Sequence, residues 1–268
     1  LKDVIAVTSI NLNKVVVVAL PRTGSTLLCS LMNLHPEAYI AGELIHVLPN
    51  NRKLNKELWT PEKCFYSLKR KELTAKVRFH PEKCINKPMY SLDELKDIGI
   101  RLFGFKCMAY ALGLFPENIK RFLTLLKKDG YSMIWLQRED ILRSAVSLCV
   151  AHKKQMFHNA NNISAGNKLQ VDVAIDPDLL EHSYQWFVSI NDAISSYFKT
   201  EEYIPITYKD ITSMKRNTAM RDLFSGLKID ASMIDFADEP LNRTSKTNAV
   251  LDGVANKEVV LSRIQGAV

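Results

Sequence analysis

No stretch of this chain is apolar for long enough to cross a bilayer. Its longest such run, VVVVALP at 15–21, has seven residues, where a helical span needs about twenty. No basic n-region followed by an apolar h-region opens the sequence, so no secretory signal is read. Because the first residue is Leu1, an upstream anchor stays open. Cysteine is scarce and shows no paired spacing: Cys29, Cys64, Cys84, Cys107 and Cys149 make an odd set, and three of them sit in apolar runs. They read as reduced thiols and not as a disulfide framework, which favours a reducing, cytoplasmic setting. Repetition is missing too. PEKC occurs at 61–64 and 81–84, but the flanking residues do not match.

What is present is ordinary for a globular protein: 268 residues, 47% apolar and 24% charged. The net charge of +7 is unevenly placed. Between 51 and 88 stand eleven Lys/Arg against four Asp/Glu, an excess equal to that of the whole chain. Such a segment is either a solvated helical surface or a field that attracts an anionic ligand. Nucleic acid fits poorly, since the charges lack aromatic interleaving and no zinc-finger or RNP-type pattern occurs.

Strands are expected at 14–20 (KVVVVAL), 102–110, 132–137 and 203–208. The unbroken apolar character of the first and third suits strands buried on both faces of a parallel sheet. Between them, 116–128 is helical: Pro116 and Glu117 open it, Ile119, Phe122, Leu123 and Leu126 form its stripe, and Gly130 ends it. Asp176 is placed to cap a long helix beginning PDLLEH. Alternating strands and helices predict an α/β domain with right-handed crossovers. We read one domain over 1–268, with a basic helical insertion at about 47–95 and a polar, lid-like loop at about 154–175.

The segment VVVVALPRTGSTLLCSLM, 15–32, runs from strand to helix through a short polar turn. Set on the pattern G-x-x-x-x-G-K-[ST], it has Ala19 for the first glycine and Ser25 for the lysine, keeps Gly24 and Thr26, and adds Arg22. A glycine at 24 lets backbone approach a phosphate, and the N–H groups opening a helix over 24–35 face the anion. Ser25 and Thr26 add hydroxyls, and Thr26 is a candidate helix cap. Arg22 supplies a permanently charged fork in place of the lysine, which suits one phosphate at this spot with no metal. An ordinary strand–turn–helix is the plainer alternative. A second cluster follows the strand SMIWLQ: REDILRSAVS puts Arg138 at its end and Ser147 nine residues on. Both lie at the carboxyl edge where parallel sheets bind ligands, although Arg138 alone also suits a surface ion pair with Glu139 or Asp140.

Together, PRTGST and REDILRSAVS resemble the two phosphate motifs of sulfotransferases that use 3′-phosphoadenosine 5′-phosphosulfate. The bacterial trehalose and glycolipid branch is the nearest match. FGFKCM at 103–108, Trp186 in the long helix, and TYKDI at 207–211, like that branch's TYEDL strand, add to the likeness. The resemblance implies a central parallel sheet like that of the P-loop NTPases. It implies that Arg22, Thr23, Gly24, Ser25, Thr26 and Leu27 hold the 5′ end of the donor, and that Arg138 and Ser147 hold its 3′-phosphate. Arg243 and Lys246 fall where the family closes a loop over that phosphate, although the R-K-G triplet of the cytosolic branch is lacking. No metal is implied.

The resemblance also names Glu43, in a GE context after the first helix, as the base that takes the acceptor's proton. His46, His152 and His182 compete for that role, since the cytosolic branch uses a histidine. Lys106 either approaches the reacting oxygens or snorkels to solvent. The acceptor is expected to be a polar small molecule or carbohydrate, bearing a hydroxyl or amine. A homodimer stays open. A degenerate P-loop nucleotide kinase and a non-catalytic nucleotide-binding module are the competing readings.

Overall fold

The structure, a computed structural model, describes residues 12–43, 61–62, 65, 92–108, 116–154, 173–232, 234–236 and 254–265. Strands β1 (Asn13–Ala19), β2 (Ala38–Glu43), β3 (Leu102–Met108), β4 (Tyr131–Gln137) and β5 (Ile204–Thr207) form one sheet in the order β2-β3-β1-β4-β5. Every pairing is parallel. The helices bounded within the described residues include α1 (Ser25–Met32), α2 (Leu92–Asp97), α3 (Pro116–Lys128), α4 (Ile141–Lys154), α5 (Pro177–Phe198), α6 (Tyr208–Thr212), α7 (Arg216–Gly226) and α8 (Lys257–Gln265).

The valine run needs apolar neighbours on both sides, and it has them. Val15, Val17 and Ala19 pack with Leu28, Leu31 and Met32 of α1, Ile211 of α6 and Phe224 of α7. Val16 and Val18 point the other way, into a cluster with Phe122 of α3, Val146 of α4, Phe187 of α5 and Val260 of α8. All four valines are essentially inaccessible to solvent, as period-two alternation in a fully covered sheet requires. The expected α/β architecture, a P-loop-like parallel sheet between helical layers, is therefore what the chain adopts. From β1 the chain moves outward to β2, then after β3 crosses to β4 on the other side. The strand order thus reverses at β1, the place where the carboxyl ends of such sheets open a crevice.

Local signals at the helix ends hold. Asp176 accepts from the Asp178 N–H at 3.0 Å and caps α5, and Gly130, with φ 82°, ends the run after α3. Three expectations change. The first helix covers 25–32 and not 24–35. Its N-cap is Gly24, with no side-chain cap, so Thr26 does not cap it. A strand at 38–43 was not anticipated: AYIAGE contains one β-branched residue and two alanines, a weak strand signal. Tertiary contacts define it instead. It pairs with β3, and the Asn33 side chain accepts from the Ile40 N–H at 2.7 Å and donates to the Ile40 carbonyl at 2.9 Å. Finally, Tyr208 opens a helix and does not end a strand. Thr207 and Asp210 close a reciprocal capping box there, which turns TYKDI into the helix α6.

At the end of α7, Lys228 takes φ 58° while its N–H bonds to the Ser225 carbonyl and the Ile229 N–H to the Phe224 carbonyl, each at 2.9 Å. This is the left-handed position that glycine usually fills, and a Cβ there costs roughly 1–2 kcal/mol. Lys228→Gly is expected to stabilise the protein by about 0.5–1 kcal/mol, a rise of about 2 °C in thermal melting. An unchanged or lower Tm would show that the lysine side chain compensates.

Candidate functional site

The loop from Leu20 to Gly24 leaves β1 at its carboxyl end and is tied down from within. Thr23, almost wholly buried, donates its hydroxyl to the Leu20 carbonyl at 2.7 Å. Ser25, also buried, directs its hydroxyl to Met108 Sδ at 3.6 Å. These two hydroxyls therefore serve the loop's own base. Leu27 packs beside the α1-side core. Two consecutive turns are held open by left-handed residues, Arg22 at φ 62° and Gly24 at φ 87°. For a non-glycine such a conformation costs on the order of 1–3 kcal/mol and persists only where the surroundings enforce it.

Those surroundings are the second cluster. Arg22 Nε–H donates to Ser147 Oγ at 3.0 Å, and Arg138 Nη1–H donates to the Arg22 carbonyl at 2.6 Å. Arg138 sits directly after β4 and Ser147 lies two turns into α4, so one reaches β1's loop from the end of the neighbouring strand and the other from the helix that follows it. Two guanidiniums are thus held close together and half-buried. Burial, and then the Arg138 cation, push the Arg22 guanidinium below its ordinary pKa, with Tyr208 opposing. Burial also lowers Arg138, with Arg143 adding to the effect and Tyr208 and Asp140 opposing it. Such a pair favours a bound anion, which offsets both the desolvation and the repulsion.

A second constellation lies across the same edge. Lys106 Nζ contacts Glu43 Oε1 at 2.9 Å and donates to Thr26 Oγ1 at 3.3 Å. The Lys106 and Glu43 side chains are 8% and 12% exposed, so this is a largely desolvated ion pair. Thr26 accepts there, leaving its own hydroxyl hydrogen to donate. The geometry depends on an irregularity in β2. Ala38 and Ile40 face α1, while Tyr39 and Ala41 face the opposite core. In regular alternation Glu43 would join Tyr39 and Ala41. A bulge shifts the register so that Ala41 pairs Phe105 but Glu43 pairs Lys106. One extra residue reverses the side to which a strand residue points, and Glu43 thereby comes to the face of Lys106 and the loop.

The residues singled out from sequence at 22–26, 43, 106, 138 and 147 thus gather at one edge of the sheet. His152 and His182 stand exposed on α4 and α5. His46, Arg243 and Lys246 lie outside the described residues, as does most of 47–95 and of 154–175. Tyr208 was missed as a site residue. Its ring carries the Arg138 guanidinium 4.6 Å from the centroid, and it fills the space where a side chain at 24 would go. The signal is TYKDI, and reading it as a strand hides the helix start that places the Tyr208 ring.

Residues 14–111 match the family model described as "Sulfotransferase family", a segment holding β1, the loop, α1, β2 and β3. No curated protein matches the chain closely enough to count as a sequence relative. Solved structures similar to the chain include two sulfotransferase domains. The sulfotransferase domain from the curacin biosynthetic pathway is 18% identical over 82% of this chain and 75% of its own, with a TM-score of 0.46. The sulfotransferase domain from the Synechococcus PCC 7002 olefin synthase is 15% identical over 95% and 88%, with a TM-score of 0.46.

Beneath the ion pair lies the buried thiol of Cys29. Burial pushes it up from 9.0 to about 11; Lys106 opposes that shift and Glu43 adds to it. A folded-state value above the unfolded one means that the thiol's contribution to stability is complete below about pH 9 and is lost as pH climbs toward 11. Iodoacetamide at pH 8 is expected to spare Cys29 in the native protein and label it in urea. Cys29→Ala should lose less of its urea midpoint than wild type between pH 9 and 11. Ready native labelling would show that the thiol is not enclosed.

Proposed function

We propose that the protein is a sulfotransferase that takes its sulfuryl group from 3′-phosphoadenosine 5′-phosphosulfate. The observation that carries this reading is the direct linkage of the two anion clusters, Arg22 to Ser147 and Arg138 to the Arg22 backbone. A donor with a 5′-phosphosulfate and a separate 3′-phosphate needs two cationic groups within one nucleotide's length. The match over 14–111 supports the same chemistry. In this reading, Arg22, Gly24 and Thr26 face the phosphosulfate, and Arg138 with Ser147 serves the 3′-phosphate.

Transfer requires the acceptor oxygen to attack sulfur in line while the bond from sulfur to the phosphate oxygen breaks. Adenosine 3′,5′-bisphosphate leaves and the acceptor's proton is taken up by a base. Arg22 and the loop amides neutralise charge that develops on the departing phosphate. Glu43 is the base. Its pairing with Lys106 presents an ionised carboxylate beside Thr26, on the loop side of the sheet. The acceptor is a polar small molecule or carbohydrate, in keeping with the basic excess at 51–88.

In metal-free buffer, adenosine 3′,5′-bisphosphate is expected to raise the melting temperature by several degrees through preferential binding to the folded state, while ATP with Mg²⁺ does little. The opposite ranking would favour a nucleotide kinase and sink the proposal. Glu43→Gln should keep bisphosphate binding and lose at least a hundredfold in sulfuryl transfer to hydroxyl acceptors such as trehalose or p-nitrophenol. It should also lose on the order of 3 kcal/mol of stability, because Lys106 is left without its counter-charge. Adding Lys106→Met should recover stability but not turnover. Full activity in Glu43→Gln would move the base to a histidine.

A further inference from the structure

We propose that Tyr208 is a positioning residue that sets the spacing between the two anion sites, so that preference for a 3′-phosphate runs through its ring. This rests on the donor reading above. The ring is wedged between the two clusters. On one side, a methyl group built at Gly24 would fall 2.6 Å from Tyr208 Cδ2 and 2.9 Å from Cε2. The ring edge therefore rests against the backbone of the loop. On its face, the Arg138 guanidinium carbon lies 4.6 Å from the centroid, within the range of a cation–π contact. Arg138 in turn holds the Arg22 carbonyl. Loop, ring and guanidinium thus form a closed triangle in which the ring fixes the distance between the other two.

The ring itself is anchored by the capped start of its own short helix. Thr207 and Asp210 exchange hydrogen bonds on either side of Tyr208, at 2.9 Å and 3.1 Å. Three residues on, Ile211 is fully buried beneath the sheet. Thr212 Oγ1 also donates to the Tyr208 carbonyl at 2.8 Å. The aromatic face at 208 gives the Arg138 guanidinium a second hold beside its bond to the Arg22 carbonyl, and so limits its swing toward solvent.

Titration calorimetry with adenosine 3′,5′-bisphosphate and adenosine 5′-monophosphate tests this through the ratio of the two Kd values. Wild type should favour the bisphosphate strongly. Tyr208→Leu should lose about tenfold of that ratio while the monophosphate Kd changes by less than about threefold, and Tyr208→Phe should keep the ratio. If Tyr208→Leu does not fold, Tyr208→Met, which fills the volume without an aromatic face, carries the same expectation. Equal weakening of both ligands in the Leu or Met variant would overturn the inference, because the ring would then bind the nucleoside. Loss of the ratio in Tyr208→Phe would overturn it as well, since the hydroxyl would then be the reader. A wild type with no preference between the two ligands would instead remove the donor reading itself, and this inference with it.

Discussion

Two guanidiniums held together in a half-buried place are electrostatically unfavourable, and the carboxyl edge of this sheet is built around such a pair. Arg22 and Arg138 are each pushed below the ordinary guanidinium range, chiefly by burial, and Arg138 adds to the shift at Arg22. Arg22 also sits in a left-handed backbone conformation. Electrostatic cost and strain at one spot mark a position that is maintained by its surroundings and that a bound anion would relieve. An anion with charge at two points resolves both guanidiniums at once, which one phosphate acting on one arginine would not do.

The sheet delivers this arrangement through register. β1 lies between β3 and β4, so its loop can be reached from both sides: by Arg138 from the end of β4, and by Lys106 from within β3. The contacts run unbroken across the edge, from Tyr208 to Arg138 and Arg22, through the loop to Thr26, Lys106 and Glu43. The two arginines and the Lys106–Glu43 pair are therefore joined by one chain of contacts, and the bulge in β2 allows the edge strand to contribute its carboxylate to the loop side. Placing such groups on strand ends and on a short capped helix gives more definite geometry than exposed loops supply.

Much of this was legible in the sequence, for physical reasons. The run VVVV carries its own evidence of two-sided burial, and Asp176 and Gly130 mark helix ends by chemistry that acts locally. The loop and Arg138 stand out because charged and hydroxyl residues directly after apolar strands have few structural uses, and Ser147 is picked out by its spacing from Arg138. What the sequence hid was whatever depends on tertiary placement. β2 has little strand propensity and is made by pairing with β3 and by the Asn33 side chain. The bulge that turns Glu43 toward Lys106 leaves no mark in AYIAGE. Tyr208 looked like the last residue of a strand because YIPITY alternates correctly; only the reciprocal bonds of Thr207 and Asp210 start the helix there. The hydroxyls of Thr23 and Ser25 read from sequence as ligand donors, yet they point to Leu20 and Met108.

That Arg22 and Arg138 serve a single bisphosphorylated nucleotide is tested most directly by a double-mutant cycle on the affinity for adenosine 3′,5′-bisphosphate, using Arg22→Met, Arg138→Met and the double variant. Groups that share one ligand and touch each other should be coupled, by about 1 kcal/mol or more. Losses that simply add, to within about 0.5 kcal/mol, or an affinity indifferent to both changes, would contradict a single site spanning the two clusters.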